Sequence, residues 1–333
     1  MSDSRPTLAD PDDDPFLWLE EVEGNSAIAW ADAQSRTTME RFGNTRFIAD
    51  RDELCRLLDR PDNLPVPMRR GGLLYNFWKD AEHPRGIWRR TTLSSFRTPT
   101  PDGDILLDLD ALATVEGEDW IWQGAVTLPP SHVCAMLRLS RGGSDAVVLR
   151  EFNLLARDFV TDGFVLPEAK GGAVWLDEDT LLLSSALGGA TSSGYASTVR
   201  LWSRGTTWSD GPVLFQTDPL HMNAWGGFDR RADRLIFGER TSFFDARIWI
   251  GDRSGPKQLL DLPTDAWVDW DAKWLAVRGR TAWTAGTMMF QPGAVVVVRM
   301  DDFLAGDRRF TSVFEPAPRR AVQVFSGPPA VCC

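Results

Sequence analysis

Two serines lie in segments that invite comparison with a catalytic nucleophile. Ser144 lies in RGGSDA and Ser193 lies in TSSGY. A serine hydrolase of the α/β type needs Gly-x-Ser-x-Gly, because a sharp turn between strand and helix must expose the serine oxygen. That pentapeptide does not occur in the 333 residues. We expect both serines in turns between strands, and the sequence assigns no catalytic residue.

The three histidines, His83, His132 and His221, are far apart in the chain. None of them belongs to the His-Glu-x-x-His or His-x-His spacings that place two imidazoles on one metal ion. We therefore interpret each histidine as structural. No phosphate-binding loop and no Gly-x-Gly-x-x-Gly after a strand occurs either, so we predict no metal ligand, no cofactor-binding residue and no cofactor.

Four cysteines occur, at positions 55, 134, 332 and 333. The absence of Cys-x-x-Cys argues against a zinc site or a disulfide framework. Cys55 and Cys134 stand alone in apolar surroundings, and we predict that both are buried thiols.

The charge balance limits the classes of partner. Lysine and arginine number 36 against 47 aspartate and glutamate residues, which gives a net charge of −11. Binding to nucleic acid is disfavoured, because a phosphate-binding surface needs clustered basic residues and none is found. No run of eighteen apolar residues and no apolar signal segment at the N-terminus is present, so we predict a cytoplasmic protein without a membrane span.

Tryptophan is unusually common, with fifteen residues against two tyrosines. An indole ring buries a large apolar area and is found in protein cores more often than on ligand platforms. We therefore expect these tryptophans mainly in the core.

The elements that would position these residues change in type along the chain. Residues 15–60 are predicted to be helical, with Asn25 and Ser26 capping a first helix that runs toward Phe42. A second helix is predicted from Phe47 to Leu58 and ends before Pro61. From about residue 70 the segments are short, rich in β-branched and aromatic residues, and separated by turn residues.

A repeat of about 50 residues organises this second part of the chain. Four strand-like segments begin at Val148, Val199, Ile248 and Val296, and a looser copy begins at Ile87. In each of the four segments, a turn-prone residue lies five positions after the first residue, and a second pair of apolar residues follows it. Further strand-like runs lie between the copies: HVCAMLRL, DTLLLSSA, DRLIFGER and KWLAVRG.

This arithmetic predicts an all-β protein, a β-propeller of four-stranded blades with about five blades. A β-sandwich is the competing interpretation, but sandwiches have no such fixed long period. The glycine pairs at 71–72, 142–143, 171–172, 188–189 and 226–227 are interpreted as turns, and AVQVFS at 321–326 as one more possible strand.

Several longer segments resemble a known family. DPFLWLEEVEG, followed by AWADAQ, resembles the start of prolyl oligopeptidase family serine peptidases, and YNFWKDAEHPRGIWRRTTL resembles their first propeller strands. The segments from SRGGSDAVVLREFNL to SSGYASTVRLWSRGT are similar to the bacterial branch of the family. The resemblance extends from about residue 12 to about residue 325.

The resemblance implies a two-part enzyme that acts on short peptides. Family members carry an α/β-hydrolase domain with a Ser-Asp-His triad and a seven-bladed propeller that restricts access to it. The triad follows the propeller, so no triad residue can be assigned to any position of this sequence. We expect a leader and helical segment at 1–69, an incomplete propeller at 70–325 and an irregular tail at 326–333. The hydrolase domain is the expected packing partner of the N-terminal segment.

Two hypotheses of function follow. In the first, the chain is the propeller portion of a prolyl-oligopeptidase-like peptidase and is an inactive truncated fragment. The alternative is a stand-alone propeller used as a binding or scaffold protein. A stand-alone binder should have a polar N-terminus, whereas Phe16, Leu17, Trp18 and Leu19 are apolar. The first hypothesis is therefore favoured, and the DNA sequence that follows codon 333 would test it.

Overall fold

The structure is a computed structural model that describes residues 14–21, 24–60 and 66–322. The chain divides into two compact units, Met1–Leu64 and Pro65–Cys333. The predicted tail at 326–333 and most of the possible strand at 321–326 lie outside the described residues.

The described part of the first unit contains a short 3-10 helix (Leu17–Glu20) and two α-helices, α1 (Asn25–Phe42) and α2 (Thr45–Leu58). The prediction that Asn25 and Ser26 cap α1 is wrong, because the N-cap residue is Gly24 and no side chain caps the helix. In α2 the side chain of Asn44 accepts a hydrogen bond from the backbone N–H of Phe47. Asparagine suits this position because its carbonyl oxygen reaches a backbone donor that the helix leaves unpaired.

Among the described residues, the second unit contains five antiparallel sheets of four or five strands and a separate two-stranded sheet, and the five larger sheets confirm the predicted propeller. Blade 1 consists of β1 (Met68–Arg70), β2 (Leu73–Trp78), β3 (Ile87–Thr92) and β4 (Asp104–Asp108). Blade 2 consists of β5 (Trp120–Thr127), β6 (Cys134–Arg141), β7 (Val147–Asn153), β8 (Asp158–Phe159) and β9 (Val165–Ala169), which also pairs with β7. Blade 3 consists of β10 (Gly171–Asp177), β11 (Thr180–Ser185), β12 (Thr198–Ser203) and β13 (Val213–Gln216).

The last two blades follow the same order. Blade 4 consists of β14 (Asn223–Asp229), β15 (Arg234–Arg240), β16 (Ala246–Asp252) and β17 (Gly255–Leu259). Blade 5 consists of β18 (Trp267–Trp270), β19 (Trp274–Arg278), β22 (Val295–Arg299) and β23 (Thr311–Phe314), with a hairpin of β20 (Trp283–Ala285) and β21 (Met288–Phe290) inserted. Short helices α3 (Leu93–Phe96), α4 (Leu109–Glu116) and α5 (Met300–Leu304) occupy connections.

The repeat found in the sequence corresponds to one position in every blade. The segments that begin at Ile87, Val148, Val199, Ile248 and Val296 are the third strands, and the apolar pairs that follow them mark the fourth strands. The runs between the copies contain the second strands of blades 2 to 5. The first strand of each blade has no counterpart in the predicted repeat.

Two of the glycine pairs interpreted as turns lie in first strands instead, so that prediction is wrong for them. Gly171 and Gly172 belong to β10, and Gly226 and Gly227 belong to β14. A Cβ on Gly226 would lie 2.5 Å from Cδ2 of Leu182 in the neighbouring blade. Glycine is required there because two blades approach closely, not because the chain turns.

The core lies between successive blades. Four clusters of buried apolar side chains fill the four junctions, from blades 1 and 2 to blades 4 and 5. Neighbouring residues of a strand serve different junctions: Leu181 packs between blades 2 and 3, whereas Leu182 packs between blades 3 and 4. Side chains alternate between the faces of a strand, and here both faces are buried.

An ion pair also crosses each of these junctions. Arg157 pairs with Asp104 at 2.9 Å, Arg204 with Glu151 at 2.9 Å, Arg253 with Asp177 at 2.6 Å, and Arg234 with Asp301 at 3.0 Å. Arg204, Arg253 and Asp301 are the turn-prone residues that the repeat placed five positions into three of its copies. The repeat therefore marks residues that join blades as well as residues that turn the chain.

Candidate functional site

The two serines singled out from the sequence lie in turns. Ser144 follows β6, and its Oγ donates a hydrogen bond to the carbonyl oxygen of Ala146 at 3.2 Å. Ser193 lies between β11 and β12, and its Oγ donates to the carbonyl oxygen of Met222 at 2.6 Å. Among the described residues, neither serine is hydrogen-bonded to a histidine. Their hydroxyl groups stabilise loops, and within the described chain they lack the hydrogen bond to a general base that activates a serine nucleophile.

The three histidines lie in three different blade environments. Nδ1 of His83 is 3.0 Å from Oδ1 of Asp80, and Nδ1 of His221 is 3.1 Å from Oε2 of the buried Glu239. Nδ1 of His132 is 2.8 Å from Oγ1 of Thr127. In the part of the chain that the structure describes, no group of three or more histidine, cysteine and acidic side chains is placed to hold a metal ion.

The prediction of buried thiols at Cys55 and Cys134 is wrong. Cys55 is exposed on α2, and Cys134, at the start of β6, is half-buried. Its partial burial, together with the nearby carboxylate of Glu151, raises the pKa of the Cys134 thiol. A thiol with a raised pKa is a poor nucleophile at neutral pH. Cys332 and Cys333 lie outside the described residues.

A cavity of about 470 Å³ is the best candidate for a functional site, and we call it the inner-strand cavity. Its walls come from the first strands of all five blades and the turns that follow them, with Ile236 of β15. The wall residues in chain order are Met68, Arg69, Arg70, Ala125, Val126, Thr127, Pro129, Val174, Trp175, Trp225, Gly227, Phe228, Asp229, Arg230, Arg231, Ile236, Trp270, Asp271 and Ala272. Its volume lies in the range of pockets that hold small molecules or short peptide segments.

Aromatic side chains form much of the apolar wall. The rings of Trp225 and Trp270 are stacked, with centroids 6.3 Å apart and planes 8° from parallel. Nε1 of Trp175 donates a hydrogen bond to the carbonyl oxygen of Val126 at 2.9 Å, which joins blades 2 and 3 at the cavity. Tryptophans were expected mainly in the core, and four of them are buried there. Trp225 and Trp270 are instead partly buried and line the cavity.

Two arginines of the wall are held by the fold. Nη1 of Arg230 donates to the carbonyl oxygen of Leu176 at 2.8 Å, and Nη2 donates to that of Trp175 at 2.7 Å. Burial lowers the pKa of the Arg230 guanidinium, and Asp177 counteracts part of this shift. Nη1 of Arg70 donates to Oγ1 of Thr127 at 3.1 Å. These bonds fix guanidinium groups at the cavity by satisfying oxygen atoms of neighbouring blades.

The imidazole of His132 lies next to Thr127, near the wall of the cavity. Thr127 Oγ1 contacts both Arg70 and His132. Burial, with the positive charge of Arg70 as a second cause, lowers the pKa of His132 below its ordinary value of 6.5. His132 is therefore uncharged at pH 7, and the positive charge on this side of the cavity comes from arginine.

The described wall of the inner-strand cavity offers groups that suit contact with a ligand rather than an activated nucleophile. Its wall combines stacked indoles, guanidinium groups and two aspartates, without serine or cysteine. Sequence reasoning missed it because first strands such as GGAVWLD and NAWGGFD do not alternate apolar and polar residues. A sequence signal for these first strands did exist: tryptophans close to glycines recur at the spacing of the blades.

No helix in the described part of the chain has the length and apolar character needed to cross a membrane.

Comparison with known proteins gives the same architecture. Residues 9–269 match the family model of the prolyl oligopeptidase N-terminal beta-propeller domain. An uncharacterized peptidase of Sinorhizobium fredii is 33% identical over 322 residues, which cover 92% of this chain and 44% of that protein. An uncharacterized peptidase of Rickettsia prowazekii is 24% identical over 94% of this chain and 46% of its own length. The chain thus spans less than half the length of these two relatives.

Solved structures match the fold. A post-proline cleaving enzyme from Rickettsia typhi superimposes with a TM-score of 0.81 at 23% identity, over 90% of this chain and 47% of that one. Oligopeptidase B from Leishmania major superimposes with a TM-score of 0.63 at 14% identity, over 92% of this chain and 49% of that one. At these identities the structural matches show the fold alone, and the family follows from the sequence matches. The chain belongs to the prolyl oligopeptidase family, of which it carries the N-terminal β-propeller domain.

Proposed function

We propose that this chain is the propeller portion of a serine peptidase of the prolyl oligopeptidase family, and that its propeller admits short peptides to a hydrolase domain. The inner-strand cavity is the observation that carries this proposal. A volume of about 470 Å³ accommodates a few peptide residues and excludes a folded protein. Stacked indoles and polar groups suit peptide side chains and peptide amides.

The proposal assigns the peptide-bond chemistry to a partner domain. Among the described residues, the hydroxyl groups of Ser144 and Ser193 donate hydrogen bonds to loop carbonyl oxygens, and neither is hydrogen-bonded to a histidine. We therefore propose that the 333-residue chain alone is catalytically inactive. The proposed organisation is the one predicted from the sequence, a leader and helical segment, a propeller up to residue 325 and a tail at 326–333, with the first boundary moved from 69/70 to 64/65, because β1 of blade 1 begins at Met68.

The N-terminal unit supports a hydrolase domain as its partner. Phe16, Leu17, Trp18, Trp30 and Phe42 are all exposed, although each is large and apolar. Such side chains stabilise a protein when a second surface covers them, by about 1.5–3 kcal/mol each. A stand-alone binding protein has no need of this apolar set, so the alternative function is less well supported.

Activity measurements on the purified 333-residue chain test the assignment of chemistry. A fluorogenic prolyl peptide should not be hydrolysed, and a serine-reactive fluorophosphonate should not label the protein. Labelling at a single serine, with hydrolysis that the label abolishes, would overturn the proposed inactivity.

Peptide binding tests the role of the cavity. Short proline-containing peptides should change the fluorescence of Trp225 and Trp270, because both rings line the cavity. Gly227→Phe places a ring at the wall and should weaken this binding at least tenfold. Gly72→Phe is the matched control, since Gly72 lies outside the cavity and a Cβ there meets no atom within 4 Å. Equal binding by both variants and the native chain would contradict a role for the cavity.

A further inference from the structure

The inner-strand cavity is rich in positive charge although the chain is acidic. Arg69, Arg70, Arg230 and Arg231 line it, against two carboxylates, Asp229 and Asp271, in a protein of net charge −11. The arginines come in pairs from two blades, one pair from β1 and the other from the turn after β14. A concave surface with an excess of one sign of charge concentrates ligands of the opposite sign.

The members of each pair differ in what they contact. Arg70 and Arg230 donate hydrogen bonds to Thr127 and to backbone carbonyl oxygens, as described above. Arg69 and Arg231 are exposed, and neither guanidinium has a hydrogen bond or an ion pair with any residue that the structure describes. One cation in each pair builds the wall, and the other is available to a ligand.

The carboxylates of the wall do not neutralise these two cations. Oδ1 of Asp271 accepts hydrogen bonds from the backbone N–H groups of Lys273 and Trp274, at 2.8 and 2.7 Å. Oδ1 of Asp229 accepts from the backbone N–H of Arg231 at 3.1 Å, and its Oδ2 is buried without a hydrogen-bond partner in the described residues. Within the described chain, neither aspartate lies within ion-pair distance of an arginine. Both shape turns.

We propose that the inner-strand cavity selects peptides by a carboxylate group, with Arg69 and Arg231 as the specificity-determining residues. This inference rests on the proposed function and names the substrate class for the same cavity. A guanidinium group matches a carboxylate with two parallel hydrogen bonds, a geometry that the ammonium group of lysine cannot reproduce. The apolar part of the peptide contacts the stacked rings of Trp225 and Trp270.

The carboxylate has two sources in a peptide, the C-terminus and an acidic side chain. Four probes separate them: acetyl-Ala-Pro-Ala as free acid and as amide, and acetyl-Ala-Pro-Glu-amide against acetyl-Ala-Pro-Gln-amide. Binding to the full 333-residue chain is measured by tryptophan fluorescence and calorimetry at low and high ionic strength. We expect the charged member of at least one pair to bind about 3–10-fold more tightly, and the preference to shrink at 0.5 M salt, because the Debye length falls to a few ångström.

Substitutions test whether Arg69 and Arg231 cause the preference for peptides with a carboxylate. Arg69→Gln with Arg231→Gln should remove it, while binding of the neutral peptides stays unchanged. Arg69→Lys with Arg231→Lys keeps both charges and should retain part of it. Arg36→Gln with Arg97→Gln is the control of equal charge change, because both are exposed arginines outside the cavity. Circular dichroism and the melting temperature verify that each variant is folded.

The outcomes separate this inference from the proposed function. If charged and neutral peptides bind the native chain equally, or if the preference survives in the double glutamine variant, carboxylate selection is overturned and peptide admission stands. If none of the four peptides binds, both are overturned.

Discussion

The helices of the N-terminal unit expose their large apolar side chains, whereas the blades of the propeller bury theirs. Among the described residues of the first unit, Ala27 alone is buried. Phe42 is 58% exposed in α1, while Phe237 in β15 is 0% exposed and packs between blades 3 and 4. Two residues of the same type in one chain therefore contribute very differently to stability.

The difference follows from where each element finds its partners. A helix completes its backbone hydrogen bonds within one segment, so the backbone of α1 and α2 needs no neighbouring strand, although packing of an apolar face supplies most of a helix's stability in a protein. A strand must find a neighbour, and both faces of a blade need another blade or they leave apolar area in water. The propeller is therefore stabilised by contacts between residues that are distant in sequence, whereas the described helices complete their backbone hydrogen bonds locally and leave their large apolar side chains exposed.

The largest expected difference in stability comes from making the same substitution, Phe→Ala, once in each region. Phe237→Ala should lower the free energy of unfolding by about 3–5 kcal/mol, because it leaves a cavity between two blades. Phe42→Ala should change it by less than about 0.5 kcal/mol, as expected for an exposed site. Urea denaturation followed by circular dichroism measures both. Equal losses would break the comparison and indicate that α1 is covered in solution.

Ion pairs between blades should follow burial in the same way. Arg204→Ala leaves Glu151, 2% exposed, without its bidentate partner, and should cost about 3 kcal/mol. Arg253→Ala removes the equivalent arginine of the next repeat, whose partner Asp177 is partly exposed, and should cost at most about 1 kcal/mol. Thermal unfolding of the two variants compares them. A larger loss for Arg253→Ala would show that burial does not set the strength of these contacts.

Substitution of Gly226, one of two adjacent glycines of β14, should change the stability of the protein by an intermediate amount, because this first strand packs closely against the neighbouring blade. Gly226→Ala should destabilise by about 1–3 kcal/mol, because the new Cβ would lie 2.5 Å from Leu182 and 2.8 Å from Val199. At Gly227 the nearest atom is 3.7 Å away, in ordinary contact, so Gly227→Ala should be close to neutral. Melting temperatures of the paired variants distinguish close blade approach from a general intolerance of side chains in β14.

The smallest effect is expected where the structure is local. Asn44→Ala removes the side-chain cap of α2 and should cost about 1 kcal/mol, confined to that helix. Hydrogen exchange should speed up at the first amides of α2 and stay unchanged in the blades. Faster exchange in the blades as well would show that the two regions unfold together, against the comparison.

The strands that the sequence predicted and those it missed differ in a physical way. Third and fourth strands recur with apolar residues at a constant spacing, so Val199 and Phe215 could be assigned to a repeat before the fold was known. First strands contain glycines that admit a neighbouring blade, and Gly171 and Gly226 were therefore taken for turn residues. The inner-strand cavity was missed with them, because those strands form its walls.

The burial of single residues was also beyond the sequence. Cys55 was predicted to be buried from its apolar neighbours, yet α2 exposes it. Asn25 and Ser26 have the right chemistry for a cap, but Gly24 occupies the position. A cap or a buried site depends on where a backbone begins its turn and on what covers a face, which a local residue pattern does not encode.

By itself, the sequence determined the propeller, its blade period, the helical N-terminal segment and the family, because these depend on patterns that repeat along the chain. Only the tertiary structure decided which residues meet across blade junctions, why Gly226 lies in a strand, and which arginines of the inner-strand cavity form no guanidinium hydrogen bond with the described residues. Those features depend on distances between residues that are far apart in the sequence, and such distances exist only once the blades are packed.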